Sequence, residues 1–116
     1  MDGAVNSILI KDIGLLQLKI NKYATEKGFW ENAYDKNDGH KLMLMVSELG
    51  EAYEGLRHGN KPSEHIPNYT SIEEELADVV IRLLDYAEQH KLRIGEAIIA
   101  KMEFNETRPH KHGKKF

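Results

Sequence analysis

The chain has 116 residues, 41% hydrophobic and 30% charged, which is enough for one domain over residues 1–116 with its own core and too few for a second. Cysteine is absent, which excludes a disulfide framework, a thiol nucleophile and a zinc-thiolate centre, and suits a reducing, cytoplasmic setting. The net charge of −3 is unevenly spread: residues 48–85 hold nine acidic against three basic side chains, and residues 89–116 hold seven basic against three acidic, so the middle suits a cation and the tail an anion.

Leu9, Ile13, Leu16, Ile20 and Tyr23 recur at helical spacing and predict a first helix over 7–27, with Gly28 as its stop. The run from Ser7 to Leu18 is broken by Lys11 and Asp12 and lacks a small-residue cleavage site, so it is not read as a signal peptide. No stretch reaches the ~20 apolar residues needed to span a bilayer. Neither a membrane nor a nucleic acid is expected as a partner. Phe29, Trp30 and Tyr34 follow in a connection. Their flat rings suit a platform for a nucleobase, but loop aromatics more often cap a core, and both readings stand for Trp30.

Asn37 or Asp38 can cap a second helix over 38–57, whose stripe of Leu42, Met45, Val46, Leu49, Ala52, Tyr53 and Leu56 keeps helical spacing for four turns. Glu48 and Glu51 lie on the shoulder of that stripe, where carboxylates are half-buried. Gly50 and Gly55 inside the same helix each cost about 1 kcal/mol relative to alanine, which implies a close approach by another group and, at Gly55, room for a ligand. The segment 58–69, punctuated by Gly59, Pro62 and Pro67, is a long connection that could edge a substrate. His65 within it reads first as an exposed loop histidine.

Ser71 and Glu74 have capping-box spacing and open a third helix over 71–90. Its apolar residues form two opposite faces, so it lies centrally in a bundle or at a subunit interface. Glu75, Asp78, Arg82 and Asp85 share the remaining strip. Arg82 either reaches a phosphate or pairs with Asp78 one turn back, and the i,i+4 spacing favours the pair. A fourth helix over 93–107 ends before Pro109.

Residues three apart on a helix share a face, so Glu48 with Glu51 and Glu75 with Asp78 each project two carboxylates together. If the second and third helices fold back on each other, four carboxylates meet. Two unit charges ~5 Å apart repel by about 3 kcal/mol at an effective dielectric of ~20, so a cation is called for. An all-oxygen set suits Mg²⁺.

Glu-x-x-Glu at 48 and 51, Glu-x-x-Asp at 75 and 78 on the next helix, and Lys101, Asn105 and Arg108 as K-x-x-x-N-x-x-R after the last one together resemble the all-α nucleoside triphosphate pyrophosphohydrolase superfamily, the MazG-like group. The resemblance spans Lys22 to Phe116. It implies an all-α, short four-helix bundle packed as a homodimer or homotetramer. It also implies Mg²⁺-dependent hydrolysis of (deoxy)nucleoside triphosphates to the monophosphate and pyrophosphate, with Mn²⁺ as a substitute metal and nucleotide-pool cleansing as a role. Glu48, Glu51, Glu75 and Asp78 would then ligate metal, with Glu48 and Glu51 also serving the chemistry. Trp30, Arg82, Lys101, Asn105 and Arg108 would meet substrate. Members of that group often carry an apolar or aromatic residue at the position of Arg82, so base selectivity does not carry over. The rivals within the superfamily are a dUTP or dCTP pyrophosphatase and a phosphoribosyl-ATP pyrophosphatase. The rival outside it is a non-catalytic helical oligomerisation or regulatory module with a cation-binding acidic patch. The absence of a P-loop and of G-x-S-x-G leaves metal-assisted hydrolysis intact, since it needs no side-chain nucleophile.

Overall fold

The computed structural model describes residues 2–32 and 37–114, with the side chain of residue 112 left aside, so Tyr34 lies outside the described residues. Four helices follow one another: α1 Gly3–Glu26, α2 Asp38–Arg57, α3 Ser71–Gln89 and α4 Ile94–Glu106, with a final 3₁₀ turn His110–Gly113. Among the described residues there is no strand, only an isolated bridge between Pro62 and Thr70. The all-α expectation holds, and no helix is long and apolar enough to cross a membrane.

α1 starts four residues earlier than its periodicity predicts. The reason is Asp2, whose carboxylate accepts the Ala4 and Val5 amides at 2.8 and 3.4 Å and so satisfies donors that would otherwise be orphaned. Its end is as expected: Gly28 turns into the left-handed region at φ +88°, and the Phe29 amide returns to the Ala24 carbonyl at 3.1 Å. Asn37 caps α2 by accepting from the His40 amide at 2.8 Å. The capping box of α3 is formed by Thr70 and Glu73, not by Ser71 and Glu74. Both pairs have the required spacing. Glu74 is drawn off instead to Ser63 and His65 in the preceding connection.

α3 is the central helix, packed against α2 on one side and α1 on the other, and α4 lies against α1. This is the arrangement that its two apolar faces require. α2 and α3 run antiparallel in a fixed register: Gly55 meets Ser71, Glu48 meets Arg82, and Asp38 meets His90 at 3.1 Å. Gly55 lines a small cavity with His58, Lys61, Ser63, His65 and Glu74, and it also permits this close crossing: a Cβ there would lie 2.5 Å from Ser71 Oγ. Gly95 does the same for α4, where a Cβ would lie 3.3 Å from the Ile10 carbonyl oxygen and from Ile13 Cβ. Gly50 has open space beside it.

Burial is sparse. Among the described residues Trp30, Ala52, Leu84, Ala87 and Ile99 are the buried hydrophobic ones, whereas Ile8, Leu15, Leu18, Met43, Val46 and Tyr53 are among many large apolar side chains that stay exposed. The polar staple of the α1–α3 contact is Gln17, buried, whose amide donates to Glu88 Oε1 and to the Leu92 carbonyl at 3.3 Å each. Lys91 covers the other oxygen of Glu88 at 2.9 Å.

Candidate metal centre and the cavity beside it

The α2–α3 register sets Glu48 opposite Glu75 and Asp78. One oxygen from each of these carboxylates can be chosen so that all lie within 4.8 Å of one another, and all three side chains are half-buried. Glu51 is not part of this group. It is exposed, one turn beyond Glu48.

Crowding shows in the protonation of the group. Burial, then a hydrogen bond and repulsion from Glu48, push the Glu75 carboxyl up from 4.5 to about 7. Asp78 is also pushed up, first by burial and then by Glu48 and Glu74, against a partial opposing pull from Arg82 and His65. Glu74, next in sequence to Glu75, moves the other way. Hydrogen bonds from Ser63 and His65 hold it below its ordinary value.

Arg82 does not take Asp78 as its hydrogen-bond partner. It reaches across to α2 and donates Nε–H to Glu48 Oε1 at 3.0 Å. A helix-surface pair one turn apart is favoured by a few tenths of a kcal/mol, whereas a carboxylate brought in by another helix at a partly buried position is a stronger acceptor.

Glu48, Asp78 and Arg82 form one wall of a cavity of about 440 Å³. The rest of its lining is largely apolar and aromatic, with Ile20, Tyr23, Phe29, Trp30 and Ile81, and Lys27 and Lys41 add cations. Trp30 is 6% exposed, and its indole N–H points at Asp85, 3.0 and 3.1 Å from the two carboxylate oxygens. Asn21 donates to the same carboxylate at 2.9 Å, and Lys41 Nζ stands 4.3 Å from the Trp30 ring centroid. The indole is thus a packed cap of the core that also lines the cavity. Phe29 is exposed at the mouth.

The α4 residues lie apart from this wall. Lys101 Nζ sits 4.7 Å from the Phe104 ring, Arg108 lies 5.8 Å from the same ring, and neither they nor Asn105 line the cavity or join the carboxylate group. Asn105 Oδ1 is buried without a hydrogen-bond partner. His65 is exposed, as the sequence suggests, yet its Nδ1 lies 2.6 Å from Glu74 Oε2. Lys27 and Lys41 carry no local signal for a place in the cavity, because only the packing of α1 and α2 on α3 brings them there, whereas Asp85 shares the α3 strip of Glu75, Asp78 and Arg82.

Within these limits the fold and site define a class: an all-helical protein with a carboxylate group able to hold a cation on the wall of an aromatic, cation-bearing cavity. Comparison with protein-family models, with curated proteins and with solved structures gave no match.

Proposed function

We propose that the protein is a Mg²⁺-dependent nucleoside triphosphate pyrophosphohydrolase of the MazG-like type, releasing the monophosphate and pyrophosphate. The observation that carries this reading is the adjacency of two unlike surfaces. A group of acidic oxygens, which suits a hard divalent ion, adjoins an aromatic wall with lysines and an arginine, which suits a base and its phosphates.

The donor set fits the metal, since three half-buried carboxylates without a thiol or imidazole favour Mg²⁺ or Mn²⁺ over softer ions. Glu48, Glu75 and Asp78 would hold it. When bound, such an ion neutralises phosphoryl charge and lowers the pKa of its water. The indole of Trp30, fixed by Asp85, would orient the base. Lys27 and Lys41 would hold the phosphates, and Glu51, outside the group of three, is the carboxylate left to accept a proton. Lys101, Asn105 and Arg108, which do not line this cavity, would meet a nucleotide from a second copy.

A homo-oligomer is part of the same proposal. Many large apolar side chains on α1 and α2 remain exposed in the single copy, and a partner that covers them would remove apolar surface from water. Sedimentation at micromolar concentration is expected to show at least a dimer, and a monomer would oppose the oligomer.

The deciding experiment incubates the protein with each common (d)NTP and Mg²⁺ and resolves monophosphate plus pyrophosphate from diphosphate plus phosphate. Release of diphosphate, or no turnover of any nucleotide, would refute the proposed reaction.

A further inference from the structure

Arg82 stands beside the carboxylates that could hold a cation. Its Nε–H donates to Glu48 Oε1 at 3.0 Å, and Glu48 is one of the three carboxylates whose oxygens lie within 4.8 Å. The guanidinium thus already neutralises part of the group. An arginine cannot shed its charge, so a second cation entering among the same carboxylates meets a fixed positive charge a few ångströms away. A divalent ion can touch all three carboxylates at once and so outcompetes the guanidinium for Glu48. The displaced side chain then has few acceptors on its own helix. Asp78 belongs to the cation group, and both oxygens of Asp85 already receive the Trp30 indole N–H, one of them the Asn21 amide as well. Arg82 also lines the aromatic cavity, where a planar guanidinium is well matched to a phosphate.

We infer that Arg82 is a built-in counter-ion of the carboxylate group: an entering divalent cation takes Glu48 from it, and the released guanidinium binds a phosphate of the ligand in the adjoining cavity. This rests on the reading of Glu48, Glu75 and Asp78 as a cation site. It couples the two ligands, because phosphate binding gains from a guanidinium that the metal has set free.

The test titrates Mn²⁺ alone into the wild type, Arg82→Gln and Arg82→Lys, with free Mn²⁺ followed by electron paramagnetic resonance and folding checked by circular dichroism. Arg82→Gln should bind Mn²⁺ about tenfold more tightly, and Arg82→Lys, which keeps a charge, should stay nearer the wild type. At saturating Mn²⁺, an NTP analogue with a non-hydrolysable α,β-bridge should bind Arg82→Gln about tenfold more weakly. Unchanged or weaker Mn²⁺ affinity in Arg82→Gln, with the wild type binding normally, overturns the counter-ion role and leaves the cation site standing. Unchanged affinity for the analogue overturns the phosphate role. Absence of Mn²⁺ binding in every variant overturns the cation site and this inference with it. Arg82→Met, which keeps the apolar stem, serves in place of Arg82→Gln should the latter fail to fold.

Discussion

Glu74 and Glu75 are neighbours on α3 with opposite surroundings. Glu74 faces the 58–69 connection, where Ser63 donates to one oxygen and His65 Nδ1 lies 2.6 Å from the other, and its pKa is held down. Glu75 faces Glu48 and Asp78, and its pKa is driven up to about 7. The first region gives a carboxylate the partners it wants and serves to anchor a loop. The second crowds carboxylates together, a repulsion that a cation would relieve on the proposed reading. One residue along a helix turns a side chain by about 100°, enough to move it from the clamp to the site.

The comparison is broken most sharply by activity. Glu75→Gln and Asp78→Asn should each reduce pyrophosphate release by more than about a hundredfold, because even residues that only support metal ligands cost 10–100-fold. Glu74→Gln should leave turnover within a few-fold of wild type. Measured kcat/KM for the three variants checks this, and a Glu75→Gln enzyme with full activity would make the crowded group a mere surface feature.

Metal linkage comes next. Mg²⁺ that binds only the folded state stabilises it by RT ln(1 + [L]/Kd), about 2.7 kcal/mol at one hundred times Kd, which is several degrees or more in Tm for a domain of this size. Melting curves with and without Mg²⁺ should show that rise in the wild type and in Ser63→Ala, and a much smaller one in Asp78→Asn. An equal rise in all of them would locate the metal elsewhere.

A smaller effect sharpens the anchoring role of the other region. Ser63 is buried, and its hydroxyl also accepts the His65 and Ile66 amides at 3.2 and 3.1 Å. Ser63→Ala leaves those donors unpaired, so it should lower stability by roughly 1–3 kcal/mol in urea unfolding. A value near zero would show that water replaces the hydroxyl there.

The smallest signal is the pH dependence of the metal-free protein, where the two neighbours have opposite signs. The folded state binds the Glu75 proton more tightly than the unfolded chain, so this group's contribution to stability falls as pH rises from 4.5 to about 7. Glu74 is depressed, so its contribution is present above 4.5 and is lost as pH falls through its lowered folded value. His65 is raised by the same contact, so its share is present below 6.5 and fades as pH rises through its folded value. Tm measured in a chelator should decline between pH 4.5 and 7 less steeply in Glu75→Gln than in wild type. An unchanged slope would show that Glu75 titrates normally.

Local sequence settled what local physics controls. The apolar periodicity of each helix, the stop at Gly28 and the break before Pro109 depend on a residue and its near neighbours, and α2, α3 and α4 fall within one residue of the limits the pattern predicts. The acidic spacing on α2 and α3 likewise marked Glu48, Glu75 and Asp78 for one place. Tertiary structure decided wherever several local answers were of similar energy. Two capping boxes of equal spacing compete at the start of α3, and the pull of Ser63 and His65 on Glu74 leaves Glu73 to make the box. Asp78 is the local partner of Arg82, but the antiparallel register offers Glu48. Gly55 suits a ligand or a crossing helix, and only the position of Ser71 shows the crossing. The periodicity of one helix shows which face is buried, but the rotation and register of its partner decide what meets that face. Glu51 lies outside the carboxylate group, and Lys27 and Lys41 stand in the cavity, for that reason.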